Sequence, residues 1–90
     1  MSYNAKEKNM ITPKNKLLLS QAVGQRITEL IKDKNTSMSA LSERSHLPLK
    51  TLERLASGKA LRITNNEIYF ICRGLDITLF IFFDSPLFDF

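Results

Sequence analysis

The chain has 90 residues, 13 lysines and arginines against 9 aspartates and glutamates, and a formal net charge of +4. That length suits one domain with a modest core, and the single cysteine, Cys72, excludes an internal disulfide. The longest apolar stretch, Ile77 to Phe83, contains Thr78 and is far too short to cross a bilayer. With no apolar signal segment near Met1, a cytoplasmic protein without a membrane span is expected.

The charges are unevenly placed. Residues 1–35 carry seven bases and three acids, residues 36–62 five and two, and residues 63–90 one and four. A side facing a polyanion and a side facing something else would give this gradient, and so would solvated charge runs.

Residues 1–16 are polar and lysine-dotted, are interrupted by Pro13, and read as a flexible basic arm. A helical domain is expected over 17–84. Its first helix, from about Leu17 to Lys34, places Val23, Ile27, Leu30 and Ile31 at i, i+4, i+7 and i+8, with Ser20 as the cap of its regular part. Asn35 and Thr36 end it. Ser37 or Ser39 caps a second helix that runs to about Ser45.

A third helix is expected from Pro48, whose backbone angle and missing donor suit a first turn, and it stops at Gly58, a left-handed terminator. Thr64 or Asn65 caps a fourth, in which Ile68, Ile71, Cys72 and Leu75 keep helical spacing. Thr78 opens a short fifth helix through Phe83, for which a strand is the rival reading because Ile and Phe favour strands. Pro86 breaks the pattern, and residues 85–90 form an apolar tail. The predicted fold is an all-α bundle of five helices.

Within it, the segment from Ser37 to Lys59 has two faces. Leu41, Leu47, Leu52 and Leu55 point inward, while Leu49, Lys50, Glu53 and Arg54 span about 140 degrees of the third helix with nothing evident to bury against. A free, partly basic helix face on a small rigid support is what reading a DNA major groove requires.

From Arg26 to Asp84 the chain resembles the phage repressor and Cro class of helix-turn-helix domains, often called the Xre family. The matching stretches are RITELIKDKN, SALSERS, LPLKTLERLASGK and EIYFICRGLDITLFIFF. The resemblance implies a compact lambda-repressor-like bundle with the helix-turn-helix at its second and third helices. It also implies a sequence-specific regulator of transcription, a repressor, that binds double-stranded DNA at a near-palindromic operator. The second helix would cross the phosphate backbone and the third would enter the major groove.

Leu49, Lys50, Glu53 and Arg54 then match the positions that read base edges. Arg54 suits a bidentate contact to guanine, Lys50 a base or a phosphate, Leu49 a thymine methyl, and Glu53 cytosine N4 or an ion pair with Arg54. Ser37, Ser39, Thr51, Ser57, Lys59 and Arg62, with the amides of residues 57–59, are the phosphate candidates. The chain departs from the family pattern at several positions. Met38 stands where glutamine is frequent, Ser42 where alanine is usual, and His46 and Asp76 where glycine is common. Histidine and aspartate tolerate the left-handed backbone that a glycine there would adopt. Ile31 and Ala56 occupy the places of a buried Arg and Glu pair, so no charge is stranded.

Other residues read more plainly. Cys72 suits core packing and His46 a turn, and without a second His or a CxxC no metal site or cofactor is expected. No nucleophile and base, phosphate-gripping glycine loop or paired carboxylates suggest an enzyme.

The C-terminus carries a separate signal. Phe80, Phe82, Phe83, Phe88 and Phe90 fall within the last eleven residues. Leu79, Phe82 and Phe83 are expected to fill the core. Phe80, Ile81, Leu87, Phe88 and Phe90 remain as a dimer interface that would set two recognition helices about one DNA turn apart. Alternatively, the tail folds back over its own core. The competing function is a protein-interaction module, antitoxin-like or a co-regulator, that contacts a partner through this aromatic end.

Overall fold

The computed structural model describes residues 18–89, so the N-terminal arm over 1–16, Leu17 and Phe90 lie outside the described residues. Five α-helices follow one another: α1 Leu19–Asp33, α2 Met38–Ser45, α3 Leu49–Ala56, α4 Asn65–Leu75 and α5 Leu79–Phe83, with a 3₁₀ turn at Pro86–Phe88. No strand forms among the described residues, so the strand alternative for Ile77 to Phe83 is set aside.

Helix boundaries follow local chemistry. The α1 helix begins one residue before Ser20, the expected cap, because Gln21 does the capping: its Oε1 accepts the Leu18 N–H at 3.0 Å. At its other end Asn35 turns left-handed at φ 54°, and the Thr36 and Asn35 amides donate back to Ile31 O and Lys32 O. These two bonds satisfy carbonyls that the last turn leaves open. Ser37, not Ser39, caps α2, its Oγ accepting from the Ala40 N–H at 3.1 Å.

Between α2 and α3 the chain turns through His46 at φ 63°, and after α4 it turns through Asp76 at φ 58°. Both residues take up the left-handed conformation that glycine would otherwise supply. Two serines clasp the first turn: Ser42 Oγ donates to Leu47 O at 2.6 Å, and the buried Ser45 accepts from the Leu47 N–H at 3.2 Å. Pro48 sits as the cap of α3 and not inside it, and Ser57 follows its last residue, so the helix is one residue shorter at each end than expected. Gly58, at φ 77°, stops the chain as predicted.

The core gathers Val23, Ile27 and Leu30 of α1, Leu41, Leu52 and Leu55 of the helix-turn-helix, Ile68, Ile71, Cys72 and Leu75 of α4, and Phe82 of α5. Ile31, Ala56, Met38 and Leu47 pack at its edge, so the position where glutamine is frequent in the family is turned inward here. Burial pushes the Cys72 thiol up to about 11, so it stays protonated and serves as a small apolar filler.

The last part of the fold corrects two expectations. Of Leu79, Phe82 and Phe83, only Phe82 is fully buried; the other two are exposed. A five-residue helix offers the core little more than one side chain. Phe88, expected at an interface, instead packs at the edge of the core, its ring 4.9 Å from that of Phe83 and 6.0 Å from that of Phe82. The tail therefore folds back in part, and Leu87 is half-buried with it.

Candidate nucleic-acid interface

Leu52 and Leu55 anchor α3 to the core, and their burial turns Leu49, Lys50, Glu53 and Arg54 outward; all four are exposed, as predicted. The helix is held closely from behind. A Cβ on Gly24 of α1 would lie 2.7 Å from Ala56 O, 2.8 Å from Gly58 N and 2.9 Å from Leu55 O, so only glycine lets α1 approach the end of α3 this closely. A similar contact seats α2 on α4, where a Cβ on Gly74 would meet Leu41 Cδ1 at 2.8 Å and the Ser45 backbone at 3.0 Å. The two helices of the motif are thus fixed by backbone contact as well as by side-chain packing.

Lys50 and Glu53 stand on the exposed side of α3 with Leu49 beside them. Arg54 is placed differently from the expectation of a free guanine reader. Its Nη2 pairs with Glu67 Oε2 at 2.9 Å and its Nη1 donates to Arg62 O at 3.2 Å. The carboxylate that takes it belongs to α4 and not to Glu53.

Among the phosphate candidates, Ser39, Lys59 and Arg62 are exposed, Thr51 is half-buried, and Ser37 combines exposure with its capping bond. The amides over 57–59 are corrected. Ser57 N–H donates to Glu53 O at 2.9 Å, Gly58 N–H to Leu55 O at 3.3 Å and Lys59 N–H to Ser57 Oγ at 3.2 Å. The Ser57 hydroxyl is itself spent on Arg54 O at 2.7 Å. Closing the end of α3 has engaged these groups within the chain, and the Lys59 and Arg62 side chains are the exposed bases of this loop.

Two further polar residues, Glu67 and Arg26, brace the helices around the site. Glu67 closes a capping box with Thr64, its Oε1 accepting the Thr64 N–H at 2.9 Å while Thr64 Oγ1 accepts the Glu67 N–H at 3.1 Å. The spacing Thr-x-x-Glu was its available signal. Arg26 is the other: its guanidinium donates to Phe82 O and Ile81 O, both at 2.7 Å, and pairs with Glu29 at 3.2 Å. It thereby supplies a cation and donors to the open carbonyl end of α5, and nothing in the local sequence signals this partner.

On α5, Phe80 is 79% exposed, and Leu79, Ile81 and Phe83 are exposed with it. Phe80 and Ile81 thus remain on the surface as expected. Among the described residues no three His, Cys, Asp or Glu side chains come together to hold a metal, and no helix is long and apolar enough to cross a membrane.

Comparison with known proteins settles the family. The model of the Cro/C1-type helix-turn-helix DNA-binding domain matches residues 26–79. The chain belongs to this Cro/C1-type family. It thus stands among DNA-binding regulators of transcription, and the resemblance noted from Arg26 onward is confirmed over residues 26–79, from within α1 to the first residue of α5. Solved structures agree on the Cro/C1-type fold. The wild-type restriction-modification controller protein C.Esp1396I is 18% identical, covers 78% of this chain and 90% of its own, and superposes with a TM-score of 0.71. Two point mutants of that controller match at TM-scores of 0.71 and 0.69, with 18% and 20% identity, over 78% of this chain and 87% and 91% of theirs. Among curated proteins no sequence matches this chain.

Proposed function

We propose that this Cro/C1-type protein is a repressor that binds a near-palindromic operator in double-stranded DNA as a homodimer, laying α3 in the major groove. The observation that carries the reading is the rigid presentation of Leu49, Lys50 and Glu53 on a helix whose other side is sealed by Leu52 and Leu55. Helix-turn-helix proteins read bases from the N-terminal part of the recognition helix, which is where Leu49 and Lys50 stand. Ser37, Ser39 and Thr51 before the end of α3 and Lys59 and Arg62 after it supply phosphate contacts, which set register and salt dependence. Occupying an operator that overlaps a promoter suffices for repression.

Selection of bound fragments from a random duplex library at low salt tests the reading. A near-palindromic sequence should be enriched. Lys50→Ala should relax preference at particular base positions, whereas Lys59→Ala should weaken all sequences alike and lower the salt slope by about one. Enrichment of nothing would overturn it.

The dimer has its own support. Leu79, Phe80, Ile81 and Phe83 expose apolar area together on α5, a feature that marks an interface more often than a free surface. A second copy seated there would give the twofold pair that half-sites about 34–36 Å apart require. Light scattering after size exclusion should give the mass of two chains, and Phe80→Glu should return it to one. A strict monomer at micromolar concentration would sink the dimer. The same patch then favours the second reading, an interaction module that meets a different protein through α5.

A further inference from the structure

We propose that Arg54 is a positioning residue that clasps the end of the recognition helix to α4, so that base preference is carried by Leu49, Lys50 and Glu53 alone. The assignment rests on α3 entering the major groove. Arg54 lies in the last turn of α3, about 7.5 Å along the axis from Leu49 at 1.5 Å per residue, on the far side from the end that reads bases in this kind of motif. Its guanidinium is spent in two directions, on Glu67 Oε2 and on Arg62 O. Glu67 is 18% exposed in its side chain and holds two partners, its second oxygen closing the capping box of α4 through the Thr64 N–H. One carboxylate therefore joins the last turn of α3 to the first turn of α4, and the loop over 57–64, with Lys59 and Arg62, is strung between them.

A bidentate contact to guanine through Nη1 and Nη2 would compete with both partners. Such a contact would strand a largely buried carboxylate that pairs with no other cation among the described residues. As a clasp, Arg54 holds the loop so that Lys59 and Arg62 meet the backbone at a set distance from α3.

The two roles differ in size and in kind. Loss of a bidentate base contact costs roughly 5- to 150-fold in discrimination at one position. Loss of a half-exposed ion pair costs roughly two- to fivefold, spread over all sequences.

The test uses the full chain with the variants Arg54→Ala, Glu67→Gln and both together. Glutamine keeps the oxygen that caps Thr64 and removes the charge that holds Arg54. Each single variant is expected to weaken binding roughly two- to fivefold on every duplex, with the double variant no weaker than the weaker single, and the enriched sequence unchanged. In the free protein, amide exchange over 59–64 should quicken in both. Relaxed preference at a base position in Arg54→Ala, with that position intact in Glu67→Gln, would overturn the proposal and make Arg54 a reader. If the wild-type chain enriches no sequence, the major-groove reading fails. The clasp is then judged on the free protein, where unchanged loop exchange in both variants overturns it.

Discussion

Replacing Phe82 by alanine should lower stability by about 3–5 kcal/mol, the range for removing a buried ring from a core that cannot close over the cavity. Phe82 is fully buried and is the only side chain of α5 to reach the core. A helix of five residues has no stability of its own, so what holds α5 in place is this ring together with the bonds from Arg26 to Ile81 O and Phe82 O. A domain of this size typically has about 5–15 kcal/mol in total. The substitution should therefore leave a marginal protein and, before global unfolding, release the apolar patch that α5 displays. Urea unfolding measures the first effect, and light scattering, read against the mass of the proposed dimer, measures the second. Phe80→Ala is the control, because a ring 79% exposed takes little stability with it. A loss below about 1 kcal/mol for Phe82→Ala would contradict the structure.

Gly24→Ala should also destabilise, by about 1–3 kcal/mol net, although alanine is worth about 1 kcal/mol more than glycine in a helix. The opposing terms are unequal because the new methyl would meet Ala56 O, Gly58 N and Leu55 O, all at 2.9 Å or less. These are backbone atoms that no rotamer change can move. Relief requires α1 and the end of α3 to part, which shifts the recognition helix relative to α2. DNA affinity should therefore fall by more than the change in folded fraction explains. Denaturant unfolding and a mobility-shift titration on the same preparation separate the two, and a gain in stability would show that the helices are not held this closely.

Much of the candidate site was legible in the chain because its signals are local. Pro48 and Gly58 bracket α3, the leucines alternate with the charges at helical spacing, and His46 and Asp76 accept the backbone that the turns demand. These preferences act within a few residues, so a reader of the chain sees them whole. Ser20 and Leu18 show the limit of that: a serine near a helix start is a good cap, but here Gln21 reaches back first and moves the start. The backbone amides over 57–59 show a second limit. They look available for phosphate until the end of α3 is built, and closing that end uses them.

By itself the sequence determined the number of helices, their order, the inward leucines and the outward face of α3, since periodicity and capping are properties of neighbours along the chain. The tertiary structure alone decided which outward residues are free. Arg54 and Glu67 are thirteen positions apart, and Arg26 and Phe82 fifty-six. Nothing local links such pairs, and only packing brings a guanidinium to a carboxylate or to the open carbonyls of a short helix. Packing also divided the phenylalanines, drawing Phe82 inside, laying Phe88 against it and leaving Phe80 on the surface, because a helix as short as α5 can bury little more than one side chain.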